Sequence, residues 1–345
     1  MKKNCEIVPR FSGEKNKMAT TTYPVPSTIE GPCLVQLGSG NSAVVFESKD
    51  DVKLQITDES EDVSTKTRGV LGQKLKGRKI EVKFKPVKWS AFSTLFAVLK
   101  LTRGQSVFGK ANTPATIFGI DGQKVELPRA AITGIPSIGC GVGKELLGEF
   151  TLTGLVDPSK PYSDLSSLVK ISAATFPSLP TLSDADLESA GFVGFLMADG
   201  AAPAADDIFV DLAEGAEISF DLKLDERKVD RCGLYDFKFS DLSVSAKFKP
   251  MLDDYAKWQK IASLTSSPRL GGLVKPSYDF FLRGLYKDNP AFLLKKIVCA
   301  DRSLNWGDDS RFEEIEVKAM GDYGVGKFTA TTCAADWAPV STTSK

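Results

Sequence analysis

The chain has 345 residues, 42% of them hydrophobic and 26% charged, which is typical of a globular protein with two domains of ordinary size. Lysine and arginine balance aspartate and glutamate at 44 each, so no net charge attracts nucleic acid or anionic membrane. Histidine is absent, which excludes hydrolase triads and most zinc sites.

The N-terminal residues 1–28 are predicted to be a flexible extension. They are basic at the start but lack the apolar stretch of a secretory signal, and Met18 resembles a natural start. The chain has no run of eighteen apolar residues, so no membrane partner is expected. Its cysteines are scattered without a paired spacing, and we expect reduced thiols. They are Cys5, Cys33, Cys140, Cys232, Cys299 and Cys333.

The first clear strand pattern lies at residues 79–86, KIEVKFKP, where Ile80, Val82 and Phe84 alternate with charged residues. After Pro86, apolar residues recur at three- and four-residue spacing, which predicts an amphipathic helix. This helical pattern consists of Trp89, Phe92, Leu95, Phe96 and Leu99.

Further along, Asp121 and Gly122 separate the stretches TIFGI and KVEL, which predicts a tight β-hairpin. These elements define a predicted first domain at residues 29–156. Residues 157–190 are rich in proline and serine and are predicted to be a linker. A second β domain is predicted at residues 191–331, and a C-terminal tail at 332–345.

The second domain repeats the pattern of the first. Residues 243–250, SVSAKFKP, lie 164 positions after residues 79–86 and end in the same Phe-Lys-Pro. A second helical pattern follows, with Leu252, Tyr255, Trp258 and Ile261. The matched strands are residues 52–56 with 218–222, 79–86 with 243–250, 114–118 with 290–294, and 149–154 with 316–321.

This order of matches predicts an internal duplication in which residues 45–155 and 216–325 superpose, with Phe84 over Phe248. The predicted fold is mainly β, with two tandem β-sandwich or split-barrel domains that each carry a flanking α-helix. Different strand orders in the two halves would contradict the duplication.

Two runs of opposite charge stand out in the sequence. Residues 66–88 hold nine basic side chains and one acid, while residues 206–230 are rich in acids. The basic run could form a solvated loop and outer strand face, or bind phosphates. A third interpretation is docking of the two runs between subunits, which we favour over DNA binding. The candidate contacts are Lys66, Arg68, Lys74, Lys76, Arg78, Asp206, Asp207, Asp211 and Glu214.

Other motifs do not indicate chemistry. Residues 72–79 approach a phosphate loop but have Arg78 where lysine is required. The acids at 58–62 do not match a calcium loop and are expected to be polar loop residues. Trp89 and Trp258 are expected in the core, not in a sugar-stacking platform. No catalytic, cofactor-binding or metal site is predicted.

The order of strand, long polar loop, strand ending near Phe-x-Pro, helix, Asp-Gly hairpin and final GEFTLTG strand resembles the tail tube proteins of long-tailed bacteriophages. The most similar stretches are residues 76–86, 130–133 and 144–150. The resemblance is carried by the order of these motifs over about 120 residues of the first half. The second half departs from it by shorter hairpins and an insertion at residues 262–285.

This resemblance implies a non-enzymatic structural protein of the virion tail, assembled in the host cytoplasm without a cofactor. Subunits would form stacked rings around a lumen through which DNA passes without specific binding. A duplicated chain resembles the branch in which three subunits give a pseudo-sixfold ring. The implied partners are further copies of this chain and the tape measure, tail tip and terminator proteins.

Three alternatives remain open from the sequence. A carbohydrate-binding or adhesin module fits β-sandwiches but leaves the duplication and the charge runs unexplained. Another structural protein of the tail fits the same features. An enzyme that uses only carboxylates is a further possibility, although no convincing pair of carboxylates stands out in the sequence.

Overall fold

The computed structural model consists mainly of antiparallel strands, which confirms the predicted mainly β class. In the part of the chain that the structure describes, every strand pairing is antiparallel. The described residues are 33–40, 43–90, 114–157, 159, 168–183, 186, 191–198, 208–229, 233–251, 278–304, 312–320 and 327–335.

Eighteen strands lie in these residues. Those of the first half are β1 Cys33–Leu37, β2 Val44–Glu47, β3 Lys53–Thr65, β4 Gly69–Phe84, β5 Ala115–Gly119, β6 Gln123–Leu127, β7 Ala130–Gly134, β8 Ile138–Cys140, β9 Phe150–Gly154 and β10 Lys170–Ala173. Those of the second half are β11 Phe192–Ala198, β12 Ile208–Val229, β13 Gly233–Met251, β14 Tyr278–Gly284, β15 Pro290–Leu294, β16 Ile297–Leu304, β17 Phe312–Ala319 and β18 Phe328–Thr332.

The first half forms two sheets, with strand orders β10-β6-β5-β1-β2 and β3-β4-β9-β7. The second half forms one sheet with the order β16-β17-β13-β12-β11-β14-β15-β18, and β8 of the first half pairs with β12. The difference arises at one place, because β2 and β3 are separate strands whereas β12 is continuous. An irregularity in β12 between Leu212 and Ala216 marks the equivalent break.

The same seven pairings occur in both halves. The pairs β1-β2, β1-β5, β5-β6, β6-β10, β3-β4, β4-β9 and β7-β9 correspond to β11-β12, β11-β14, β14-β15, β15-β18, β12-β13, β13-β17 and β16-β17. We therefore call residues 33–173 the first repeat and residues 192–332 the second repeat.

The duplication also holds at the level of single residues. Phe84 is opposite Phe150 in the first repeat, and Phe248 is opposite Ile315 in the second. The isolated bridge between Ser48 and Pro86 likewise matches the pair Leu212 and Pro250. The predicted duplication, with Phe84 equivalent to Phe248, is thus confirmed by strand order and register.

Three of the residue matches made from the sequence are wrong in register. Residues 115–119 correspond to 278–284, not to 290–294, which instead matches the next strand, β6. The final strand matches at Phe150 with Ile315, two positions away from the predicted alignment. Leu54 likewise corresponds to Ile218, and not to Phe220 as predicted. Alternating apolar patterns look alike when slipped by two residues, so the pattern alone does not fix the register.

Aromatic side chains fill the core because strands of both sheets turn their apolar faces toward each other. Phe46 of β2, Phe84 of β4 and Phe150 of β9 form one buried cluster, with ring centroids 5.3 to 6.2 Å apart. In the second repeat, Phe248 stacks on Phe280 at 4.6 Å. The first cluster links the two sheets of the first repeat, and the Phe248–Phe280 contact joins two strands, β13 and β14, of the single sheet of the second repeat.

The two repeats also contact each other. Trp89 is buried, as predicted, and its ring packs edge-on against Phe292 of the second repeat at 5.2 Å. Strand β8 adds to β12, where Cys140 is opposite Ala216. One hydrophobic cluster therefore extends through both repeats. The predicted domain limits stay predictions, and β10 lies inside the stretch predicted to be a linker.

The predicted flanking helices fall largely outside the described residues. Trp89 and Ser90 have helical backbone. The remaining positions of both helical patterns, Phe92, Leu95, Phe96, Leu99, Leu252, Tyr255, Trp258 and Ile261, lie outside the described residues. The predicted hairpin at Asp121 and Gly122 is confirmed, since β5 and β6 pair and Gly122 has a φ of 80°.

Candidate self-assembly surface

The hairpin formed by β3 and β4 has the longest continuous run of exposed residues in the described chain. Residues 53–76 are exposed on both faces, and only the base of the hairpin, from Gly77 to Phe84, enters the core. The turn closes between Thr65 and Gly69, whose φ of 71° is in the left-handed region that favours glycine. A long exposed hairpin presents both polar backbone and side chains to any neighbour.

Five of the predicted contact residues lie on this hairpin. Lys66 and Arg68 are in its turn, and Lys74, Lys76 and Arg78 are in β4. Asp211 and Glu214 lie in β12, while Asp206 and Asp207 fall outside the described residues. The structure thus gathers the basic candidates on one element.

The basic run is partly neutralised within its own hairpin. The Arg78 guanidinium donates to the Asp58 carboxylate, with Nη2 2.7 Å from Oδ2, and the Lys76 ammonium lies 2.8 Å from the Glu61 carboxylate. The acids at 58–62 were expected in a loop, but they lie in β3 opposite β4. Counting charge along one strand missed them because cross-strand neighbours are distant in sequence.

These ion pairs affect the pKa of the acids. The hydrogen bond from Arg78 holds the pKa of Asp58 below its usual value, and the hydrogen bond from Lys76 does the same for Glu61. In both cases the cation favours the ionised form. The two carboxylates therefore remain charged to lower pH than free carboxylates.

One of the acidic candidates also has a basic partner nearby. Glu214 lies 3.2 Å from the Lys249 ammonium of the same repeat. An ion pair also joins the two repeats, with Glu59 of β3 3.4 Å from Lys228 of β12. Here the acid belongs to the first repeat and the base to the second, which is the reverse of the predicted docking. Glu226 and, to a lesser extent, Glu59 raise the pKa of Lys228. The docking of the two runs between subunits stays a prediction.

The hairpin has two chemically different faces, because side chains alternate along a strand. We call one of them the Leu75 face. It contains Leu54, Ile56, Asp58, Ser60, Val70, Gln73, Leu75 and Arg78, as the cross-strand register places them. Four of these are large apolar side chains that are exposed to solvent. Lys74 lies on the opposite face.

Comparison of the sequence with protein family models gives no match, and comparison with curated proteins gives none either. No helix in the described ranges is long and apolar enough to cross a membrane. Within those same residues, no group of three or more histidine, cysteine or acidic side chains could hold a metal ion. Of the cysteines there, Cys140 and Cys333 are buried free thiols.

Proposed function

We propose that the chain is a structural subunit that assembles with its own copies into the tube of a phage tail. In this proposal each repeat is a β-sandwich of the tail tube type. The aromatic cluster of Phe46, Phe84 and Phe150, which links two sheets of the first repeat, supports that assignment.

The observation that carries the proposal is the duplication, together with the different contacts that the two repeats make. Two repeats with the same seven pairings contact each other within one chain, yet Val70 and Leu75 of the first hairpin remain exposed, whereas the equivalent residues of the second hairpin are buried. A chain built in this way leaves a surface exposed that another copy can cover. Contacts of this kind repeat around a closed ring.

The lumen of such a tube needs no catalytic group, and DNA would pass without specific binding. The ion pairs within the hairpin support this, because Asp58 and Glu61 reduce the positive field that would hold phosphates. The further partners would be the tape measure, tail tip and terminator proteins, and the assembled protein would reside in the virion tail.

Negative-stain electron microscopy of the purified full chain tests the proposal. We expect hollow rings or stacked tubes whose pseudo-sixfold symmetry reflects three duplicated subunits. Images with only isolated particles of monomer size, over the whole range of protein concentrations, would contradict it.

A further inference from the structure

The two long hairpins of the chain are equivalent position by position. In each hairpin, the strand that leaves the turn begins with a glycine of positive φ. This glycine is Gly69 in the first hairpin and Gly233 in the second. The register shift after Glu59 recurs after Lys223, and a second shift follows in both hairpins. Every residue of the first hairpin therefore has a counterpart 164 positions later.

The counterparts differ strongly in burial. Val70 is 63% exposed, whereas its counterpart Leu234 is 4% exposed. Leu75 is 44% exposed, whereas its counterpart Phe239 is fully buried. The same face of the hairpin is thus exposed to solvent in the first repeat and buried in the second.

The first repeat provides the cover for the second hairpin. The Val156 backbone N–H donates to the Leu234 carbonyl at 3.0 Å, and β8 pairs with β12 beside Ile218. Both Val156 and its neighbour Leu155 are buried. The covering surface is therefore centred on the segment that follows β9.

In the second repeat, the segment that follows β17 is the equivalent of this covering segment. Leu155 donates its backbone N–H to the Arg129 carbonyl at 2.9 Å, and Met320 donates to the Lys296 carbonyl at the same distance. Met320 is thus the counterpart of Leu155. Its side chain is 44% exposed, compared with 2% for Leu155.

We propose that the Leu75 face of one copy packs on the surface around Met320 of a second copy. This contact repeats, between two chains, the contact that joins the repeats within one chain. It is head-to-tail, because each copy offers a hairpin at one end and an acceptor surface at the other. The proposal rests on the proposed function, for which it names the surfaces that meet.

The contact between copies is less apolar than the one within a chain. Asp58 and Arg78 form an ion pair at the position where the second hairpin has Leu222 and Leu242. A face that is exposed until assembly has to remain soluble, and charged side chains limit the size of its apolar patch. The ion pair therefore keeps the exposed hairpin soluble before assembly, while the apolar side chains beside it can still pack against a second copy.

The strand addition of β8 to β12 is not part of the contact between copies. Gly215 lies in the left-handed region with a φ of 71°, and a Cβ there would overlap the Cys140 carbonyl. Its counterpart in the first repeat is Asp51. The close backbone approach is therefore confined to the interior of the chain, and the face of the hairpin carries the contact between copies.

Crosslinking of mixed variants, each with one added cysteine, tests the proposal. Full-length Val70→Cys and Met320→Cys are each treated alone, and then mixed, with a short bis-maleimide, and products are mapped by peptide mass spectrometry. We expect a dimer linking positions 70 and 320 in the mixture, several-fold above the background that the native cysteines give in the parent. Lys74→Cys mixed with Met320→Cys is the matched control from the opposite face and should remain at background.

The outcomes distinguish a failure of the proposed contact from a failure of the proposed function. In one outcome, the parent forms rings or tubes while neither Val70→Cys nor Leu75→Cys gives a crosslink to position 320. This result would overturn the contact and leave the proposed function standing. A strong crosslink in Val70→Cys alone would indicate a symmetric contact and overturn the head-to-tail arrangement. A parent that stays monomeric at all concentrations would contradict the proposed function itself.

Discussion

At the scale of single residues, the fold depends on aromatic side chains that bridge two sheets. Phe84 is buried between Phe46 and Phe150, at centroid distances of 5.7 and 5.3 Å. The sequence identified Phe84 and Phe248 as equivalent core positions, because both precede Lys-Pro at the end of an alternating strand. Such a position contributes to stability through close packing on all sides.

Replacement of this ring by a small side chain should be costly. We expect Phe84→Ala to lower the free energy of unfolding by about 3 to 5 kcal/mol, because it removes buried area and leaves a cavity. Chemical denaturation monitored by fluorescence measures the change. Phe84→Leu, which retains most of the volume, is the control and should cost clearly less. Equal stability of Phe84→Ala and the parent would show that this cluster does not hold the sheets together.

The ion pair of the hairpin predicts a dependence on pH. The pKa of Asp58 is lowered in the folded chain by Arg78, so its contribution to stability is present above the unfolded value of about 3.9 and is lost as the pH falls through the lowered folded value. A carboxyl titration by NMR should give a lower pKa in the parent than in Arg78→Gln. The same pKa in both proteins would mean that Arg78 does not hold the carboxylate.

At the scale of elements, the contact between β8 and β12 depends on a glycine. Gly215 has a φ of 71° and no room for a Cβ, whereas Gly143 has a φ of 77° and open space around it. The two positions therefore share the backbone conformation but differ in surroundings. Comparison of them separates steric overlap from backbone strain.

We expect Gly143→Ala to cost about 1 to 2 kcal/mol from the left-handed backbone alone. Gly215→Ala should cost more, because β8 also has to move away from β12. Amide hydrogen exchange should then increase at residues 138–140 and 216–218 in Gly215→Ala but not in Gly143→Ala. Similar exchange in both variants would contradict the close approach of the two strands.

The sequence predicted some elements better than others, for physical reasons. The strands around Phe84 and Phe248 were predictable because one face is buried and the apolar residues alternate. The outer part of β3, residues 57–65, was not, since these residues are exposed on both faces and no burial imposes a period of two. The match of residues 114–118 with 290–294 failed because short apolar strands resemble one another.

The candidate surface was predicted in part. The basic residues of β4 were singled out, but their cross-strand partners in β3 were not, because pairing between strands depends on the register. The apolar residues of the Leu75 face were missed altogether. Comparison of Val70 and Leu75 with their counterparts 164 positions later could have raised the question, but only burial reveals which copy is covered.

At the scale of the whole molecule, the two repeats contact each other, and two surfaces of the described chain remain exposed. The Leu75 face is one of these surfaces and the region around Met320 is the other. Exposed apolar patches of this kind mark sites of association. Val70 is 63% exposed and Leu75 44% exposed, so burying what remains exposed of the two side chains against a second copy would contribute about 1.5 to 3 kcal/mol in total.

The most direct test of the account compares self-association of two variants by sedimentation velocity. Val70→Glu/Leu75→Glu and Lys74→Glu change the net charge equally, but on opposite faces of the hairpin. The account predicts that the parent and Lys74→Glu form large assemblies, while Val70→Glu/Leu75→Glu stays monomeric and folded. Assembly of the double variant like the parent would contradict the account, and loss of assembly in Lys74→Glu alone would support charge docking in its place.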